Sequence, residues 1–306
     1  IAVAGTHGKT TTTAMIAHLL IEAGHDPTVI VGGVMTNLGA NARTGKGPYF
    51  VIEADEYDHM FLGLRPHIAV VTHLEMDHPD CFPTLEAMKF AFYRFLSLVP
   101  DEGQIVACTD EPNVRSLVAE FRSRATPVVI TYGFSSDASW QAAGFQTNAG
   151  GGSDFEVLRS GSVMGRFRLT IPGKHNVKNA LAALAVADLI GLEPDVARKA
   201  LATFKGVKRR FELKGEANGI TIIDDYAHHP TEIQATLAAA RARYPMRPIW
   251  AVFQPHTYSR TKALLESFAV SFGEADHVIV TEIYAAREQN ALGTHAIHLV
   301  QAMAHR

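Results

Sequence analysis

Residues able to bind a polyphosphate stand at the head of the chain, where Gly5-Thr6-His7-Gly8-Lys9-Thr10-Thr11 joins the apolar Ile1–Ala4 to an alanine- and leucine-rich pattern. A strand that turns through glycines into a helix presents backbone N–H groups and a helix N-terminus to an anion. Gly5 and Gly8 let the chain turn tightly and approach the phosphates. Lys9, in a loop expected to be exposed, brings a cation to the outer phosphates, and the Thr10 hydroxyl is placed to hold a magnesium ion. Val3 stands where the common P-loop has its first glycine, so this is a shorter Gly-Thr-X-Gly-Lys-Thr form. The pattern predicts a nucleoside triphosphate site.

Further polar groups gather where apolar runs end. Glu53-Ala54-Asp55-Glu56-Tyr57-Asp58 follows one such run, with Glu53, first after the strand, the best magnesium ligand. The alternative is a solvated acidic turn. His73-Leu74-Glu75-Met76-Asp77-His78-Pro79 follows another and offers a further metal or substrate ligand, although magnesium prefers oxygen to imidazole. Asn176 and Asn179 open a helix after Gly173, and could cap it or face an adenine edge. Arg209 and Arg210 lie in a turn, where a cation could reach a transferring phosphoryl group. Asp224-Asp225-Tyr226-Ala227-His228-His229-Pro230 and Phe253-Gln254-Pro255-His256, with Arg260 beyond, each follow a strand pattern. Each could be a capped helix start; together they read as a substrate face.

The elements that must position these residues alternate. Strands are expected at 1–4, 28–32, 49–54, 67–72, 104–108 and 127–132, with helices at 9–23, 84–98 and 111–122. That alternation implies a parallel sheet covered by helices, whose C-terminal strand ends face the ligand. Phe155–Leu158 and Gly165–Ile171 alternate like antiparallel strands, and 175–190 and 194–204 read as helices. A second α/β unit is expected from about residue 213, with strands at 220–224, 248–253 and 277–281 and helices at 231–243 and 260–273. The domains read as 1–212 and 213–306, with a hinge over 204–215. The fold class is therefore α/β, a P-loop-type parallel-sheet domain followed by a partial Rossmann-like one.

Composition agrees with a globular enzyme. The 306 residues are 47% hydrophobic and 19% charged, with 28 basic and 31 acidic side chains, so no general polyanion-binding surface is advertised and nucleic acid is not expected as a partner. No apolar run approaches the roughly 20 residues that span a bilayer, so membrane insertion is not expected. No signal peptide is expected either, because the first apolar stretch enters the phosphate loop directly. Two cysteines fit neither a disulfide framework nor a zinc site and suit a reducing cytoplasm. Ile1 is not a start methionine and falls in a strand that belongs at a sheet centre, so a segment upstream is expected. The sequence leaves the oligomeric state open.

Taken together, the motifs Gly-Thr-His-Gly-Lys-Thr, Glu-Ala-Asp-Glu, Asp-His-Pro-Asp, His-Asn-Val-Lys-Asn-Ala, Gly-Val-Lys-Arg-Arg-Phe-Glu, Asp-Asp-Tyr-Ala-His-His-Pro-Thr-Glu and Phe-Gln-Pro-His resemble those of the Mur ligases. These are ATP-dependent ligases of peptidoglycan precursor synthesis. The resemblance implies a central ATPase domain and an incomplete C-terminal Rossmann-like domain, without the family's N-terminal UDP-binding domain. It implies ATP and Mg2+ as cofactors, with UDP-N-acetylmuramate and L-alanine joined through an acyl phosphate. By motif position, Gly5, Thr6, His7, Gly8, Lys9, Thr10 and Thr11 would cradle ATP, and Thr10, Glu53 and His78 would hold metal. Asn176, Asn179, Arg210 and Asp225 would complete the nucleotide contacts. Lys9, His78, Arg210 and His228 would be catalytic, and Tyr226, His228, His256 and Arg260 would meet the substrate. Thr257 departs from the arginine usual after Pro-His. Two other functions fit the motifs: a ligase that attaches murein tripeptide to the same sugar nucleotide, and a nucleotide-binding fragment inactive alone.

Overall fold

The computed structural model describes residues 1–291 and 293–304. Two compact units emerge: Ile1–Met76 with Thr84–Asp224, and Asp77–Pro83 with the chain from Asp225 onward.

The first unit begins with β1 (Ala2–Ala4), α1 (Lys9–Glu22), β2 (Thr28–Met35), β3 (Ala40–Arg43) and β4 (Phe50–Glu53). A kinked 3₁₀ turn over Tyr57–Gly63 leads to β5 (Ile68–Val71), α2 (Leu85–Leu96), β6 (Gln104–Cys108), α3 (Pro112–Arg122) and β7 (Val128–Gly133). Then come β8 (Trp140–Thr147), β9 (Ser153–Arg159), β10 (Ser162–Leu169), α4 (Lys174–Leu189), α5 (Pro194–Thr203), β11 (Glu212–Ala217) and β12 (Ile220–Asp224). One ten-stranded sheet runs in the order β10-β9-β8-β7-β6-β5-β1-β4-β2-β3. Its middle is parallel, while β2–β3, β8–β9 and β9–β10 pair antiparallel.

Strand β1 lies between β4 and β5, so the three loops that follow these strands open at one edge. Helix α1 is buried along almost its whole length and packs on α4 and α5. Alanines 180, 182, 183, 185 and 187 of α4 are all buried, and small side chains let helix axes approach closely. His18, within α1, bonds the Ala200 carbonyl and the Thr203 hydroxyl of α5; burial lowers its pKa, which keeps the ring neutral.

Three strands lie outside the expected set, and two expected elements differ. β3 and β11 are too polar to show an apolar pattern, and β8 carries too few strand formers. β12 pairs antiparallel with β11 and groups with the first unit. The helix expected over 260–273 breaks at Leu264, whose ψ of 19° is not helical.

The second unit holds α6 (Pro230–Arg243), β13 (Trp250–Phe253), α7 (Tyr258–Ala263), α8 (Leu265–Ala269), β14 (His277–Val280) and α9 (Ala296–Ala304). Strands β13 and β14 are a parallel pair. Ile233, Leu237, Phe253, Phe268, Phe272 and Leu299 form its core, while Trp250, Val252 and Ile279 are exposed on the other face of the strands. No helix among the described residues is long and apolar enough to cross a membrane.

Candidate active site

The turn from β1 to α1 needs both of its glycines. Gly5 has φ 138°, and a Cβ there would lie 2.2 Å from Thr72 Oγ1 and 2.9 Å from the His73 nitrogen. Gly8, at φ 82°, is the N-cap of α1, and its Cβ would meet Asn179 Oδ1 at 2.6 Å. Thr6 is fastened to the loop after β5, its N–H donating to the His73 carbonyl at 2.9 Å.

Lys9 is not the exposed loop residue that its sequence position predicts. Its ammonium donates to the Gly5 carbonyl at 2.6 Å and to Glu56 Oε1 at 2.8 Å, and Glu56 is fully buried. Burial opposes the charge, but Glu56, then Glu53 and Asp55, outweigh it and raise the lysine pKa. The side chain is therefore a fixed cation. Thr10 Oγ1 donates to Glu53 Oε1 at 2.9 Å, and the other Glu53 oxygen accepts from the Gly32 N–H at 2.7 Å. Two oxygen donors side by side at the helix start suit a hard dication.

Asn176 and Asn179 are buried near the start of α4, but neither caps it; Gly173 does. Asn176 Nδ2 donates to the Pro172 carbonyl at 2.7 Å, and Asn179 Nδ2 to Asn176 Oδ1 at 3.2 Å. Asn179 thus packs against Gly8 of the phosphate turn. Arg210 sits between Arg209 and Phe211, both left-handed at φ 58° and 52°. Two such residues cost about 1–3 kcal/mol each, strain that concentrates at functional turns.

His78 belongs to the 77–83 loop of the second unit. Beside it, Asp77 Oδ1 accepts from Arg260 Nε at 3.0 Å and Nη2 at 2.8 Å, and both side chains are buried. Burial works to raise the Asp77 pKa, but Arg260 and then His78 overcome it and hold the carboxyl well below the usual range. Arg260 Nη1 also donates to His256 Nδ1 at 3.0 Å. The Arg260 fork is thus turned inward, behind His256. Desolvation, then Arg260 and His228, lower the His256 pKa to about 4.

His228 rests between Tyr226 and His256, at ring separations of 5.2 and 5.7 Å. Its Nδ1 donates to the Tyr226 carbonyl at 2.8 Å, leaving Nε2 as the acceptor. Burial lowers its pKa against the pull of Glu232. Tyr226 is exposed, Asp225 accepts from the Ala227 N–H at 2.7 Å, and His229 caps α6. Thr257 caps α7 from a left-handed φ of 64°.

Glu56, Asp77 and Glu111 are the partners that sequence reasoning passed over. Glu56 and Asp77 lie inside motifs already singled out. Glu111 has no local signal, because its partners His73 and Lys178 are distant in sequence.

Nucleotide-loop geometry on a parallel sheet, followed by a second α/β unit, defines a class that comparison with known proteins specifies. Residues 3–187 match the Mur ligase middle domain and 209–306 the Mur ligase glutamate ligase domain. The chain belongs to the Mur ligase family.

A relative from Caldanaerobacter subterraneus subsp. tengcongensis, named UDP-N-acetylmuramate–L-alanine ligase, is 49% identical over 95% of this chain and 62% of its own length. The crystal structure of UDP-N-acetylmuramate–alanine ligase from Thermotoga maritima superposes with a TM-score of 0.81 at 29% identity, covering 100% of this chain and 64% of that one. The crystal structure of UDP-N-acetylmuramate:L-alanyl-γ-D-glutamyl-meso-diaminopimelate ligase from Neisseria meningitides is 37% identical over 68% of this chain and 67% of that chain, with a TM-score of 0.61. The chain spans 60–65% of the length of the first curated relatives it matches.

Proposed function

We propose that this chain carries the ATP-dependent chemistry of a ligase that joins L-alanine to the carboxylate of UDP-N-acetylmuramate in the cytoplasm. The observation that carries the reading is the head of α1, where Lys9 and Thr10 meet Glu56 and Glu53 beneath a glycine turn. Residues 1–212 are proposed as the ATPase domain and 213–306 as the C-terminal ligase domain.

In this reading Gly5, Thr6, His7, Gly8 and Thr11 cradle the triphosphate, Asn176 and Asn179 serve the adenine side, and Asp225 the ribose. Lys9 and Arg210 offset charge on the γ-phosphoryl group while a muramate carboxylate oxygen attacks it and ADP leaves. Thr10 and Glu53 would hold Mg2+, which when bound offsets negative charge on the phosphate oxygens. His78, a nitrogen donor, fits a second magnesium less well and is assigned beside the acceptor carboxylate. In the second half the alanine amine attacks the acyl phosphate, phosphate leaves, and the amine gives up a proton. His228 is held neutral by burial, which makes its Nε2 a suitable acceptor. Tyr226 and His256 line the amino-acid side, with Arg260 fixing the His256 ring.

The test supplies ATP, UDP-N-acetylmuramate and either L-alanine or murein tripeptide, and follows ADP release and amide formation. Preference for tripeptide overturns the alanine assignment. A second reading, nucleotide binding without turnover by this stretch alone, is favoured by its coverage of 60–65% of the relatives' length. ATP binding without amide product, with activity restored by extension at both ends, would support it.

A further inference from the structure

Beside the phosphate turn, His7, His73 and Glu75 form a cluster to which the ligase chemistry gives no metal role. Nε2 of His7 lies against Glu75 Oε1, and His73 Nδ1 is 4.0 Å from the same oxygen. One donor atom from each residue falls within 4.8 Å of the others. A tetrahedral ion with bonds of about 2.0–2.2 Å sets its donors about 3.3–3.6 Å apart, so small side-chain rotations that part His7 from Glu75 and draw His73 in would complete the set.

An independent feature points the same way. Glu111 Oε2 accepts from His73 Nε2 at 2.9 Å, and Glu111 is itself paired with Lys178. Glu111 therefore fixes the His73 tautomer, with the hydrogen on Nε2 and the lone pair on Nδ1. That lone pair accepts from the Thr6 hydroxyl at 3.0 Å and faces the cluster. A carboxylate behind an imidazole in this way orients metal-bound histidines and increases their basicity.

We propose that His7 Nε2, His73 Nδ1 and the Glu75 carboxylate bind a first-row transition dication, with zinc as the representative ion. Two imidazoles and one carboxylate select zinc or cobalt over magnesium, which prefers an all-oxygen shell. Binding displaces the hydrogen between His7 Nε2 and Glu75, the Thr6 hydroxyl gives up its bond to His73 Nδ1, and water completes the coordination. The ion is distinct from one held by Thr10 and Glu53. Because His7 lies between Gly5 and Gly8, it would pin the phosphate turn to the loop after β5.

The test titrates the metal-free 306-residue chain with CoCl2 in excess Mg2+, following the visible ligand-field bands, and then displaces the cobalt with ZnCl2. One ion per chain, insensitive to Mg2+ and accompanied by a higher thermal midpoint, is expected. His73→Ala and Glu75→Gln should each weaken binding at least about tenfold, and Glu111→Gln by about 10–100-fold. The His295–His298 pair, at a ring separation of 5.6 Å, is the control, and His298→Ala should leave affinity unchanged. If His73→Ala fails to fold by circular dichroism, Glu75→Gln decides. Absence of ligand-field bands would mean a hydrogen-bonded network only and overturn the proposal. Unchanged affinity in Glu75→Gln, or loss only in His298→Ala, would overturn it as well.

Discussion

The two units handle charge in opposite ways. In the first, the groups of the turn itself are local, Lys9 reaching back to Gly5 and Thr10 leading α1 into the middle of a ten-stranded sheet, and only their carboxylate partners Glu56 and Glu53 come from further along the chain. In the second, the central ion pair joins Asp77 to Arg260 across 183 residues, over a two-stranded sheet with a small apolar core. A phosphate site can be encoded locally because backbone N–H groups and a helix N-terminus supply most of it. A face built of side chains alone needs them brought together by the fold.

That contrast can be broken most sharply at Lys9. Lys9→Ala should cut acyl-phosphate formation about 10³-fold, measured in a single-turnover pulse with labelled ATP. The same change takes the ammonium from the buried Glu56 carboxylate, so stability should fall by roughly 3 kcal/mol in urea denaturation. Adding Glu56→Gln should recover the stability without the turnover. Recovery of both would mean that Lys9 serves the fold alone.

Next in size is the second unit's ion pair. Arg260→Ala should destabilise the protein by about 3–5 kcal/mol, because it takes the guanidinium from the buried Asp77 carboxylate. A loss below about 1 kcal/mol would show the pair to be solvated in solution. Such a result would erase the distinction between the two units.

Glu53→Gln keeps the shape of the first site and removes one charge from the oxygen pair. It should raise the Mg2+ concentration for half-maximal activity about tenfold, read from a magnesium titration at fixed ATP. An unchanged titration removes Glu53 as a ligand.

The smallest effect is in pH. His256 titrates near 4 in the folded protein and near 6.5 when unfolded, so between these values the unfolded chain binds more protons. Its contribution to stability should be complete above pH 6.5 and be lost as the pH falls toward 4. His256→Gln should flatten that part of the urea-midpoint profile. An identical slope in the variant would assign the titration elsewhere.

Much of the first unit could be read directly from the residues. The apolar runs behind β1, β4, β5 and β6 are short and continuous, as buried parallel strands are, and each ends at a polar motif. Glu53 could be chosen because it is the first residue past such a run. Glu56 could not be chosen in the same way, since its burial depends on the kinked turn over 57–63 folding it beneath Lys9. β3 and β11 stayed hidden because hairpin strands with exposed faces need no apolar alternation. The long helix expected over 260–273 had the right composition, but Leu264 leaves the helical region and divides it into α7 and α8. Arg260 was expected to face substrate, yet its fork turns inward to Asp77, a partner with no sequence periodicity to announce it.

The left-handed residues on either side of Arg210 have an implication for anyone reshaping this protein. Glycine at 209 or 211 would relieve the local torsion and look attractive in a thermostability screen. Yet the same pair of torsions sets where residue 210 leaves the chain. A sturdier variant chosen in this way would gain heat tolerance while loosening the cation proposed to reach the γ-phosphoryl group.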